Sequence, residues 1–494
     1  MDQPKQVVLM LTDTQRRDMV GIYGRNGIQT PALDQLAREG VRFERAYCAQ
    51  PVCGPARSAM FTGLYPHANG SWGNSMRLGT KVKTVAERLA AANIHCAFIG
   101  KWHLDGTDYF GSGGCPSGWD PAYWYDMRCY LEELSPEDRR RSRRMQTVFE
   151  GDGVAPEFTF AHRCSDRAVR FLREHQNQDF FLVVSYDEPH GPFLAPREYA
   201  ERYRNWALPD APNLYDSLDD KPEHVKVWAQ SGGRPGAVAL AAYFGCNTFV
   251  DTEIGRVLEA LNTYAPNALT IYTADHGDAL GAHGIWNKGP AMYEEITGVP
   301  FLVRWRGRVP ANVLSTRPLS HIDLTPTIMN AFDLEQPAEC HGQSLLPVFE
   351  NLDHTCSGPI FMEFHRYEID HDGFGGFQPI RAAIDGQYKL VLNLLTTDEL
   401  YDLESDPYEL TNRIGQDAYR KIRNGLHDQI LDWMNRTRDP FRSYYWETRP
   451  WRDDARQPTW GYTGMTRQRE NDPDEPRQLD YDTGVEMEQA VRRK

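Results

Sequence analysis

The feature that most narrows what this chain can fold into is a repeated order of two patterns: a stretch with helical periodicity, then a short, almost uninterrupted apolar run. It occurs in "TPALDQLAREGVRFERAYC" (30–48), "TVAERLAAANIHCAFIGKWH" (84–103), "CSDRAVRFLREHQNQDFFLVVSYDEPH" (164–190) and "FVDTEIGRVLEALNTYAPNALTIYTADHGD" (249–278). A further run, "QVVLMLTD" (6–13), precedes the series. Apolar runs without alternation belong to strands buried on both faces, and strands alternating with helices predict a parallel sheet covered on both sides. The expected fold is α/β, a large mostly parallel sheet sandwiched by helices. Four runs end in polar groups: Asp13, Gly100-Lys101-Trp102-His103, Asp187-Glu188-Pro189-His190 and Asp275-His276. Open α/β sheets bind ligands beyond the carboxyl ends of their strands. One such group alone reads as a loop capping a helix; four together read as one shared site.

The order changes near residue 356, where "PIFMEFHRYEID", "IRAAIDGQYKLVLNLL" and "ELYDLESDPYELTN" read as strands joined by turns, with a helix expected over 417–436. The chain thus divides into an α/β unit over 1–355, a smaller C-terminal α+β unit over 356–440, and a tail over 441–494. The tail is rich in Arg, Asp, Pro and Trp and lacks the periodicity to form its own core. It is expected to pack on the body or on a neighbouring subunit, as in a homo-oligomer.

A 40% hydrophobic and 25% charged composition is that of a folded globular protein. The formal net charge of -15 opposes binding to a nucleic-acid backbone, which draws on cationic neutralisation of phosphates. The most basic stretch, "DRRRSRRMQ" (138–146), follows Ser135-Pro136, an N-cap with proline at the first helical position, and reads as a solvated helix face. Nine scattered cysteines, with neither a CxxC pair nor zinc-like spacing, imply no disulfide framework. No basic n-region with a long apolar stretch opens the chain, and no apolar run reaches transmembrane length. A cytoplasmic protein without a membrane partner is expected, with a chain trimmed of a signal peptide as the alternative.

"AQPVCGPARSAMFTG" (49–63) is the densest chemical stretch. A thiolate phosphatase loop needs more residues between its cysteine and arginine than Cys53 and Arg57 allow, and Pro55 removes an amide donor. A buried structural cysteine is the plain alternative. Cys53-Gly54-Pro55-Ala56-Arg57, followed by Thr62-Gly63, resembles the C-x-P-x-R signature of type I sulfatases, members of the alkaline-phosphatase superfamily. The resemblance runs from residue 6 to about 436 in the order of elements and is nearest to bacterial sulfatases without a signal peptide. It implies that a formylglycine-generating or anaerobic sulfatase-maturating enzyme oxidises Cys53 to formylglycine before folding. The hydrated aldehyde has two geminal hydroxyls, one to attack sulfur and one to expel sulfate later, so a formylglycine-sulfate intermediate divides one hard step into two. A helix expected after Arg57 would aim its positive end at the anion.

The same resemblance implies one divalent cation held by Asp13, Thr14, Cys53, Asp275 and His276. Thr14 stands where many members carry a second aspartate, leaving its hydroxyl or main chain, or Gln15, as substitutes. Family precedent favours calcium; the imidazole keeps manganese and magnesium open. "FIGKWH" matches the second signature, implying that Lys101 contacts the sulfate and that His103 takes a proton when the sulfated hydrate collapses. "SYDEPHGPF" implies that His190 protonates the leaving group, and Lys288 in "GAHGIWNKGPAMYEE" matches a lysine clamping the same oxygens. Arg57, Lys101 and Lys288 would then supply preorganised positive charge. His283 and Asp278 read as a supporting shell, and His321 as structural.

The implied activity is hydrolysis of a small-molecule sulfate monoester, a sulfated carbohydrate or an aryl sulfate. Trp72, Asn74, Trp102, Tyr109, Trp119 and Trp124 stand in loops able to form a sugar pocket, with ordinary packing as the alternative. The rival is a phosphonate monoester hydrolase or phosphodiesterase, a sister family with the same formylglycine motif: Thr14 and His276 lean that way, and the intact GKWH and the Lys288 loop lean towards sulfate. A binding protein on a retired hydrolase scaffold would be expected to show a damaged nucleophile, metal ligand or anion clamp, and apart from Thr14 none is visible.

Overall fold

A computed structural model of the chain describes residues 4–24, 27–106, 109–206, 208, 210–231, 234–352, 358–368, 376–452 and 484–485. The main sheet has seven strands: β1 (Gln6–Thr12), β2 (Val41–Tyr47), β3 (His95–Gly100), β4 (Phe180–Ser185), β5 (Leu269–Ala274), β6 (Gly298–Arg304) and β7 (Val313–Ser320). Their spatial order is β3-β4-β1-β5-β6-β2-β7. β3, β4, β1 and β5 pair in parallel, so the polar groups that end these four strands emerge along one edge, as the alternating pattern predicts. β6 is the exception. It follows β5 without a crossover helix and runs antiparallel to β5 and β2, and the loop between β5 and β6 stays on the functional edge.

β1 shows why its apolar run is unbroken. Val7, Leu9 and Leu11 enter one core layer with Met60, Phe61, Val85, Leu89 and Ile328, while Val8 and Met10 enter the opposite layer with Leu33, Phe171, Phe249 and Ile254. Period-two side chains on a strand covered twice must be apolar on both faces. Helices Pro31–Arg38, Phe160–Glu174 and Ala237–Tyr264 cover one side; Cys53–Thr62, Val85–Ala91 and Leu324–Ala331 cover the other.

A second sheet, antiparallel with order β11-β10-β9-β8, is built from β8 (Ile360–Phe364), β9 (Ile380–Asp385), β10 (Tyr388–Asn393) and β11 (Glu399–Asp402). Helix Arg420–Arg436 lays Leu426, Ile430, Trp433 and Met434 on it, in a core that also takes Ala59 and Tyr65 from beside Cys53. The start of the tail packs on this body: Trp446 is buried in the same cluster and Arg449 Nε bonds Asp398 Oδ2 at 2.8 Å. Residues 453–483 and 486–494, and the unit boundary expected near 356, lie outside the described residues. Helix Pro136–Ser142 is capped by Ser135 as its sequence predicts. The eight described cysteines are free thiols, and among the described residues no helix is long and apolar enough to cross a membrane.

Candidate active site

The chain leaves β2, and the next helix begins at Cys53 itself rather than after Arg57. Pro55 lies in the first turn, where an amide N–H has no carbonyl partner one turn back, so it starts this helix instead of delaying it. The helix is buried along its whole length and stops at Gly63, which takes the left-handed conformation with φ 69. Cys53 Sγ sits 3.2 Å from His276 Nε2 and 3.6 Å from Asp13 Oδ1. Burial, reinforced by Asp13, pushes the thiol up to about 12 against the opposing charges of Lys288 and Lys101. A thiolate nucleophile requires the opposite shift.

Asp13, Cys53, Asp275 and His276 are all buried, and their ligand atoms lie within 4.8 Å of one another. His276 directs Nδ1 to the carbonyl of Gly277 at 2.8 Å, which leaves Nε2 with a lone pair facing the cluster. Burial and the neighbouring Asp13 push Asp275 up to about 7, although Arg57 opposes them. Burial works against Asp13 too, but Lys101, His190, Arg57 and Lys288 hold it well below the usual carboxylate range. Two buried carboxylates, of which Asp275 stays above its ordinary value despite Arg57, joined by an oriented imidazole, fit a divalent cation.

Thr14 lies in the left-handed region with φ 59, which turns its N–H to Asp275 Oδ1 at 3.1 Å and its hydroxyl to Asp13 Oδ1 at 2.7 Å. The other two substitutes weighed for the missing aspartate point elsewhere. The Thr14 carbonyl accepts from Tyr243, and the Gln15 amide bonds Asn247, Thr12 and Tyr272. Only the hydroxyl of Thr14 remains at the cluster.

Arg57 revises the expectation of an anion clamp. Its guanidinium is fully buried, with Nε on Asp275 Oδ2 and Nη2 on Asp13 Oδ2, both at 3.0 Å. Its Nη1 donates to the Lys101 carbonyl and to Ser185 Oγ. A buried fork with four of its five N–H donors on two carboxylates, a carbonyl and a hydroxyl holds the carboxylates apart and in register.

Gly100 explains why Lys101 follows a glycine. It adopts φ +122 where β3 meets β4, and a Cβ there would lie 1.8 Å from the Ser185 carbonyl oxygen. This contact lets Lys101 N donate to that carbonyl at 2.7 Å. Lys101 Nζ then lies 2.8 Å from Asp13 and 3.0 Å from Asp187. Lys288 Nζ, on the β5–β6 loop, bonds Thr14 Oγ1 at 3.3 Å, and Asp278 pins that loop by accepting from Leu280 and Asn287 N–H. His103 has φ 58 and a buried Nδ1 without a partner among the described residues; burial, Lys101 and Arg57 hold it well below its ordinary value. Burial, Lys288 and Lys101 likewise lower His190 to about 3.

His283 pairs with Asp216 at 2.7 Å and stacks on Tyr293, a step outside the cluster, and His321 bonds Thr273 inside the sheet. Of the aromatic residues considered for a sugar pocket, Trp102, Trp119 and Trp124 are core, packed with Phe61 and Phe98. Trp72 leans on His365 and Phe441, and Asn74 accepts from Gly54 N–H. Tyr109 alone of the six contacts the charged cluster, through Lys101, His190 and Asp187. Asp187 was visible in the sequence as a strand-end acid, but not as a partner of Lys101.

The sulfatase family profile matches residues 5–334, and that of the N-sulphoglucosamine sulphohydrolase C-terminal region matches residues 281–436. The chain is 43% identical to the uncharacterized sulfatase YidJ of Escherichia coli, over 97% of this chain and 96% of that one. Two solved structures superpose with a TM-score of 0.73 at 22% identity. One, holding its substrate D-glucosamine-2-N,6-O-disulfate, covers 89% of this chain and 99% of its own. The other, phosphonate monoester hydrolase of Agrobacterium radiobacter, covers 88% and 96%. At that identity the likeness is one of fold, and it is equal for the two chemistries.

Proposed function

Since this chain belongs to the sulfatase family of sulfuric ester hydrolases, we propose that it cleaves a small sulfate monoester, a sulfated carbohydrate or an aryl sulfate, to alcohol and inorganic sulfate. The observation that carries this reading is the setting of Cys53: a thiol held protonated at the head of a buried helix, between two carboxylates, an imidazole and two lysines. Its Sγ stands in for a hydroxyl oxygen of formylglycine. Because Cys53 is 1% exposed, a maturation enzyme must reach it before the chain folds.

The hydrated aldehyde supplies one hydroxyl to attack sulfur and a second to expel sulfate as the carbonyl re-forms. Asp13, Asp275, His276, the Thr14 hydroxyl and the oxygen on residue 53 would hold the divalent cation, calcium by family precedent with manganese and magnesium as alternatives, and it would polarise the sulfate oxygens. Lys288 and Lys101 bring positive charge to the transferring group. His190 delivers a proton to the departing alcohol oxygen, and His103 takes one from the remaining hydroxyl. Burial and the two lysines lower His190, and a bound sulfate ester sets negative charge against those lysines, which raises its affinity for that proton. Arg57 acts one step back, by fixing Asp13 and Asp275. Eight free thiols support a reducing, cytoplasmic setting.

Thr14 and His276 favour, as the second reading, a phosphonate monoester or phosphodiester. The test is mass spectrometry of the residue-53 peptide from protein made together with a maturation enzyme, followed by turnover of matched aryl sulfate and aryl phosphonate. An aldehyde with faster sulfate turnover is the expected result. A retained thiol, under conditions that convert a known target, removes the nucleophile; a strong phosphonate preference selects the second reading.

A further inference from the structure

We propose that Tyr109 is a positioning residue for the leaving-group acid, an inference that rests on the reading of His190 given above. Tyr109 lies in the connection after β3, and its hydroxyl is where two loops of the site meet. It donates to Asp187 Oδ1, accepts from Lys101 Nζ at 3.0 Å, and lies 2.9 Å from His190 Nδ1. Its ring packs edge-on against the His103 imidazole at 5.4 Å and tilted against that of His190 at 5.2 Å, with the Arg143 guanidinium 5.7 Å from its centroid. Core packing alone requires none of these polar partners of the hydroxyl, and phenylalanine would fill the same ring space.

The protons can be placed from the partners. The Gly191 carbonyl, 2.9 Å from His190 Nδ1, can only accept, so Nδ1 carries a proton. The phenol proton goes to Asp187, a carboxylate that accepts only, which leaves the phenol oxygen to receive Lys101 and to share the Nδ1–H. His190 is therefore gripped on its Nδ1 side by Gly191 and Tyr109, and a second proton can sit only on Nε2, the atom that must meet the alcohol oxygen. Asp187 in turn orients the phenol. The Tyr109 hydroxyl thus couples the sulfate-binding lysine to the acid that completes bond cleavage, without touching the reacting atoms.

The test is Tyr109→Phe, which keeps the ring, compared with the wild type after both are shown by mass spectrometry to carry the aldehyde to the same extent. Steady-state kinetics are measured over aryl sulfates of falling leaving-group acidity, from 4-nitrophenyl to phenyl, beside thermal midpoints. A positioned acid contributes roughly 10²- to 10⁴-fold, so losing its positioner should lower kcat about tenfold to hundredfold. KM should change little, and the deficit should grow as the leaving group worsens. A variant equal to the wild type across the series overturns the proposal, as does a deficit of the same size for every leaving group or one tracking a lowered midpoint. If the wild type turns over phosphonates and not sulfates, the sulfate reading fails on that result alone. The same comparison across aryl phosphonates then decides the role of Tyr109 by the same signature.

Discussion

Replacing Arg57 with methionine should destabilise the cation-free protein by about 3–5 kcal/mol, the cost of removing one partner from a buried ion pair. The size follows from what is left behind. Methionine keeps an unbranched stem of similar reach, so the packing loss is small. The Lys101 carbonyl still accepts from Ser185 Oγ at 2.8 Å, so the two neutral contacts of Nη1 cost little. What is lost is the charge between Asp13 and Asp275, each 3.0 Å from the guanidinium and neither exposed to water. Lys101 still faces Asp13, and Asp275 is left with His276 and main-chain N–H groups. Urea unfolding followed by tryptophan fluorescence, in chelator and then in excess calcium, measures the difference. A cation that binds only the native state adds RT ln(1 + [L]/Kd), about 2.7 kcal/mol at a hundredfold excess over Kd. It should bind the variant's more negative cluster more strongly and so narrow the gap. A variant within about 1 kcal/mol of the wild type in chelator would refute the view that Arg57 compensates these carboxylates. A gap that calcium leaves unchanged would refute the view that a cation shares that role.

Gly100→Ala sets a Cβ against the Ser185 carbonyl and forces φ +122 on a side chain, so at least about 3 kcal/mol of stability should go, and activity with it; a native unfolding midpoint would reject the contact. Lys288→Met removes a buried charge that helps to hold Asp13 ionised, so the midpoint should fall by a few degrees at most while kcat/KM falls about 10²- to 10³-fold; a drop under about fivefold would take Lys288 away from the anion. Asp251 accepts from Ala32 and Leu33 N–H at the start of a helix, yet burial pushes it up to about 7, above its ordinary 3.8. The folded chain therefore keeps a proton that the unfolded chain releases. The resulting stability is full below about pH 4 and lost as pH rises through about 7. Asp251→Asn, which does not titrate, should flatten that decline; parallel midpoint-against-pH curves for the two proteins would dismiss it.

What the sequence determined by itself is what depends on neighbours along the chain. The unbroken apolar runs made β1, β3, β4 and β5 legible as strands covered twice, and the polar residues after them marked one functional edge, because strand periodicity and chain direction are local properties. Asp13 and His276 were legible as polar residues at strand ends, and Cys53 and Lys288 as matches to family motifs. The start of the helix at Cys53 was misread, since a proline in a first turn and a proline before a helix look alike in one dimension. Tertiary structure alone decided where side chains point. Trp102, Trp119 and Trp124 read as loop aromatics and proved to be core. Arg57 read as an anion clamp, but its Nη2 and Nε bond carboxylates 44 and 218 residues away in sequence. Asp187 and Tyr109, 78 residues apart, meet only because β3 and β4 are adjacent in the sheet. Hydrogen bonds and ion pairs fall off within a few ångströms, so a partner becomes definite only when folding has set the distance.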